Sequence, residues 1–200
     1  MTSVRAISTP AIIGLTALAA LGVVAYGYGE FGGWNAEGAG AAARYTARFS
    51  FPIFVAAWSA SALATLWPGG WRSVMVRRRR AIGLSFAAAH FVHLAALLVG
   101  VFVFAAQPSA KTIYGGGFTY LLIAAMALTS NNWSVRKLGL RNWKMLHTIG
   151  GLAIAIVFAV SYLGRLDEKA WLAIPALTLL GSAALLKLLA WMKKRAPEAA

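Results

Sequence analysis

The chain has 200 residues, 60% hydrophobic and 12% charged, with 19 lysines and arginines against 5 acids and a formal net charge of +14. That balance excludes a soluble domain with an ordinary polar surface and predicts an all-α integral membrane protein, a single transmembrane domain over residues 1–200. Cysteine is absent, which excludes disulfides, iron–sulfur clusters and thiolate metal sites, so electron chemistry would need a bound cofactor.

Six apolar runs follow in order. The first, about 11–28, comes after a single base, Arg5, and has a cleaved signal peptide as its alternative reading. EFGGWNAEGAG then reads as an external loop, glycine-rich, acidic and free of Lys and Arg. The second run, about 45–66, closes at WPGGW, where Pro68, Gly69 and Gly70 break the helix between two interfacial tryptophans, Trp67 and Trp71. The third, about 81–106, begins after four consecutive arginines, Arg77 to Arg80, and ends at QPSAKTIYGGG, predicted as a loop. The fourth, about 116–131, is the shortest, and the connector SVRKLGLRNWK leads to the fifth, about 143–163. The polar turn RLDEK precedes the sixth, about 170–191, which carries Pro175 near its start and ends in the tail KKRAPEAA. The expected architecture is a six-transmembrane-helix bundle, cytochrome b-like.

The bases are distributed by side. With a cytoplasmic N-terminus, the inner segments hold Arg5, Arg72, Arg77 to Arg80, Arg136, Lys137, Arg141, Lys144, Lys187 and Lys193 to Arg195, with Glu198 as their acid. The outer loops hold Arg44, Arg48, Lys111, Arg165 and Lys169 with Glu30, Glu37, Asp167 and Glu168. A positive-inside distribution explains the net charge without a nucleic-acid partner and predicts a multi-pass protein of a bacterial inner membrane with both termini cytoplasmic.

The three histidines, His90, His93 and His147, all fall inside apolar runs that enter from the basic side. At about 1.5 Å of rise per residue, His90 is roughly 15 Å beyond Arg80, near the middle of a ~30 Å hydrocarbon layer. Ionisable groups at that depth are costly and commonly functional, and facing imidazoles are a common way to hold an iron porphyrin. Depth favours His90 over His93 as the partner of His147, although a small rotation of the helix exchanges the two. Gly150 and Gly151, three and four residues after His147, and Ala87, one turn before His90, would let a flat macrocycle approach. Arg80, Arg141 and Lys144 stand at the right end for its propionates. Packing, by hydrogen-bonded histidines and by small residues at helix interfaces, is the competing reading.

RRRRAIGLSFAAAHFVHLAALL and MALTSNNWSVRKLGLRNWKMLHTIGGLA resemble consecutive segments of the ferric-reductase-like transmembrane family. The first places paired arginines, a branched apolar residue, glycine and leucine ahead of a histidine. The second places a threonine–serine pair, a basic Leu-Gly connector and a tryptophan ahead of Leu-His. The likeness covers about 44–165 and is strongest to the branch that includes the haem-binding membrane subunit of the bacterial methionine-sulfoxide reductase system. It implies a haem b electron-transfer protein, with FMN or quinone as further cofactors. In that branch the aligned ligand of the third span is His93. Many members carry a second pair of histidines about 13 residues on, but here those places hold Val160 and Phe104, which implies one haem.

The leading reading is therefore a membrane cytochrome b carrying electrons from a cytoplasmic or quinone donor, an oxidoreductase subunit without its own flavin or nicotinamide domain. The expected partners are the lipid bilayer and a separate reductase or acceptor subunit, and a homo-oligomer is compatible with the composition. The alternative is a haem-free six-span scaffold or partner-binding protein.

Overall fold

The computed structural model describes residues 8–196, with Lys111 by its backbone alone; Arg5 and Glu198 of the charge pattern lie outside the described residues. The described chain is all-helical: α1 Thr9–Glu30, α2 Ala36–Leu66, α3 Gly70–Phe102, α4 Ala110–Leu128, α5 Asn132–Leu163 and α6 Leu166–Arg195. Among the described residues, α1, α2, α3, α5 and α6 are long and apolar enough to cross a membrane. The fourth expected span falls on α4, whose 19 residues reach roughly 28 Å at about 1.5 Å each, just short of the hydrocarbon thickness.

The helices run further than the apolar pattern alone suggests. The stretch expected as an external loop, residues 30–40, is shortened to residues 31–35, because residues 36–40 already belong to α2. Asn35 starts that helix, its Oδ1 accepting from the Gly38 amide at 2.8 Å. Ala39, Ala41, Ala42 and Ala43 are buried, and a Cβ on Gly27 of α1 would meet the Ala42 nitrogen at 2.6 Å. A run that looks like loop in isolation is thus the flat face on which two helices meet backbone to backbone.

Two other predicted loops are also helical. Gly115, Gly116 and Gly117 lie inside α4, which starts at Ala110. The connector after Asn131 forms the first turns of α5, with Asn131 as cap and a break at Gly139 (φ 76°, ψ 150°). The arginine run likewise lies within α3, which at 33 residues is about 50 Å long and exceeds the bilayer core. The break at Pro68 to Gly70 is where the sequence puts it, with Gly69 and Gly70 at positive φ.

The chain divides into two compact units. The first comprises Met1–Phe54 and Arg80–Ser109. In it Ala42, Ala43 and Ala96 form a small core with Val24, Tyr28 and Leu97 from α1 and α3 packed against it. The second comprises Val55–Arg79 and Ala110–Ala200; there α5 packs on both α4 and α6 and buries Ile154, Ala155, Phe158 and Tyr162. Lys193 ties α6 to the end of α2 by donating from Nζ to the carbonyls of Thr65 (3.1 Å) and Leu66 (3.3 Å).

Candidate functional site

In the first unit, α3 presents His90 and His93 to α2. His90 is buried, its Nδ1 is 2.9 Å from Ser50 Oγ, and its ring stacks on Phe86 at 5.1 Å. One turn along, His93 Nδ1 is 3.2 Å from Thr46 Oγ1, and the two imidazole centroids are 5.0 Å apart. Thr46 and Ser50 are four apart on α2, so two hydroxyls face two histidines like rungs. Each hydroxyl has one proton and a backbone carbonyl to take it: Thr46 donates to Ala42 O at 2.7 Å, and Ser50 to Ala47 O at 3.0 Å. Nδ1–H of each histidine can then donate to the hydroxyl oxygen, and His93 also bonds the Ala43 backbone. With Nδ1 protonated, a neutral imidazole would ligate a metal through Nε2.

In the second unit, His147 of α5 stands against the end of α4. Its ring stacks on Trp143, one turn earlier, at 4.1 Å, and its Nε2 is 3.5 Å from Thr129 Oγ1, the outer limit of a hydrogen bond. Trp143 Nε1–H donates to Thr129 O at 2.9 Å, so the indole is fixed as a platform for the ring. Arg79 is within electrostatic reach of His147, and its Nη1 donates to Ser61 Oγ at 3.0 Å. The two glycines after His147 sit in close approaches: a Cβ on Gly150 would be 2.6 Å from Met126 Sδ, and one on Gly151 would be 3.0 Å from the Trp58 indole.

The expected site residues thus fall into separate groups. His90 and His93 share one hydroxyl-lined face with Ala87 buried nearby, and His147, Gly150 and Gly151 share one face of α5. Arg80, Arg141 and Lys144 are exposed. Sequence reasoning missed Thr46 and Ser50, whose signal is a pair of hydroxyls four apart in an apolar helix. For the role of Trp143, a tryptophan four residues before a histidine on one helix was the available sign. Of the arginine run sequence reasoning singled out Arg80; Arg79 is within electrostatic reach of His147. Among the described residues no group of three or more His, Cys, Asp and Glu side chains is placed to hold a metal ion, whereas axial ligation of a porphyrin needs only two.

The comparisons with known proteins bear on this arrangement. The protein-methionine-sulfoxide reductase heme-binding subunits MsrQ of Brucella ovis, Brucella canis and Brucella abortus are each 36% identical over 127 residues, 60% of this chain and 54% of the relative. This chain is similar to the MsrQ haem-binding subunits. The likeness to the methionine-sulfoxide branch read from the sequence is borne out at that level. The chain spans about half the length of the curated relatives it matches. No family model and no solved structure matches it, so the wider ferric-reductase-like resemblance rests on the two motifs.

Proposed function

We propose that this chain is a haem b-binding membrane protein that transfers electrons, with one haem ligated by His147 and His90, and His93 the rival of His90. The observation that carries the reading is the 36% identity over 127 residues to subunits whose name states haem binding. Two features of the residues fit the group. Thr46 and Ser50 stand at the Nδ1 side of His93 and His90, which suits ligation through Nε2, and His147 stands on a face of α5 whose glycines, Gly150 and Gly151, pack against the flexible Met126 side chain and the Trp58 indole.

Haem, when bound, supplies a one-electron couple that no side chain of this cysteine-free chain offers. The protein's own part is to hold the imidazoles. Ser50 and Thr46 fix ring rotation on α3, and Trp143 fixes it on α5. The apolar flanks of the helices exclude water and so tune the potential.

The proposal extends to six spans in one membrane domain of a bacterial inner membrane, with both termini cytoplasmic. Donor and acceptor belong to other molecules: a cytoplasmic reductase or the quinone pool on one side and a separate acceptor subunit on the other, with FMN or quinone as the mediators considered.

The test is the absorption spectrum of the detergent-purified protein reduced with dithionite. A sharp low-spin b-type spectrum that disappears in His147→Ala supports ligation, and His90→Ala and His93→Ala made separately identify the partner. A colourless preparation from haem-supplied cells overturns the reading.

A further inference from the structure

Lys187 is a base within the apolar part of α6, in the run GSAALLKLLAW, and it is half-buried. Its Nζ lies 5.1 Å from the centroid of Trp58, a cation held on an indole face. The edge of the same indole covers Gly151, one turn after His147 on one face of α5. Lys187, Trp58, Gly151 and His147 all belong to the second unit, so one contact chain links the ammonium to the histidine's face.

Among the described residues of this unit the acids are Asp167 and Glu168, in the first turn of α6 and roughly 28 Å from Lys187 along the helix at about 1.5 Å per residue. Lys194 is within electrostatic reach and adds charge of the same sign. A cation partly withdrawn from water on an indole face, with a like charge beside it, is stabilised by an anion.

Depth indicates which anion. Counted from Arg165 in the turn between α5 and α6, Lys187 lies about four residues further along than His147, so it stands about 6 Å nearer the basic end of the helices. That is where the carboxylate edge of a macrocycle ligated at His147 would point. Arg80, Arg141 and Lys144 are exposed and so more strongly screened than the half-buried Lys187. We propose that Lys187, seated on Trp58, is the counter-ion for a carboxylate of the group ligated by His147. This rests on the haem reading and narrows it: one cation of α6, rather than the surface bases, receives the propionate in a charge-assisted hydrogen bond.

The test uses purified, haem-loaded protein and two readouts, the midpoint potential and the rate of haem transfer to excess apomyoglobin. Lys187→Gln and the more bilayer-compatible Lys187→Met should keep the reduced spectrum but release haem about tenfold faster or more, and should titrate at a lower potential because a positive charge near the iron has gone. Lys187→Arg should restore both. Lys193→Gln, which alters only the tie to α2, should behave as wild type. If both Lys187→Gln and Lys187→Met match wild type in potential and release rate, the assignment is overturned while the haem reading stands. If wild type carries no haem, both fall.

Discussion

Ser50 and Thr46 turn the ambiguity between His90 and His93 into a measurement. Each hydroxyl orients one ring, and removing such an outer partner commonly costs about 10–100-fold in metal affinity. Ser50→Ala should therefore weaken haem binding by that order if His90 is the ligand, and Thr46→Ala should be nearly silent; the reverse pattern would move the ligand to His93. Trp143→Phe keeps a ring beneath His147 but deletes the bond to Thr129 O. Its expected effect is a broadened low-spin signal in electron paramagnetic resonance with haem retained, and an unchanged signal would show that the indole nitrogen does not orient the imidazole.

The histidines were legible in the sequence because ionisable side chains inside apolar runs stand out against a constant background. Their partners were not, because a Thr or Ser that bonds back to the carbonyl four residues earlier looks the same in sequence whether or not a histidine also reaches it. In a run of four arginines no pattern says which one bonds Ser61, as Arg79 does, since a rotation of about 100° separates neighbours. Lys187 was grouped with the cytoplasmic bases because sequence shows charge but not the depth at which the side chain is held.

At the scale of elements, glycine positions separate packing from flexibility. Gly27→Leu drives a side chain into the α2 backbone at Ala42 and should cost about 1–3 kcal/mol or more, read as a lower unfolding midpoint in detergent. Gly22→Ala, which meets nothing within 4 Å in the same helix, should be neutral or slightly stabilising. Equal effects at the two sites would refute the close approach of α1 and α2. Gly139, with φ 76° and ψ 150°, lies in a region almost reserved for glycine, so Gly139→Ala should cost about 1–3 kcal/mol and straighten the start of α5. Helix positions were readable from apolar runs bounded by bases, Pro and Gly. The loops were overestimated at residues 36–40 and 110–117, where local glycine content argued for turns and helical packing or continuation prevailed.

At the scale of the whole molecule, charge asymmetry predicts that both ends face the cytoplasm. The absence of cysteine makes this testable without background labelling. A single cysteine placed at Asn35 should react with an impermeant thiol reagent added outside intact spheroplasts, and one placed at Arg136 should react only after lysis; the opposite pattern would invert the topology. The exposed apolar side chains of α1 and α5, among them Leu15, Leu18, Ile149 and Leu152, are then the surface presented to lipid. The most direct measurement of the central claim is haem b content per polypeptide, by the pyridine haemochromogen assay, for wild type and His147→Ala prepared side by side. The expected result is about one haem per wild-type chain and almost none in the variant. A wild-type value near zero, or an equal value in both, would contradict ligation by His147.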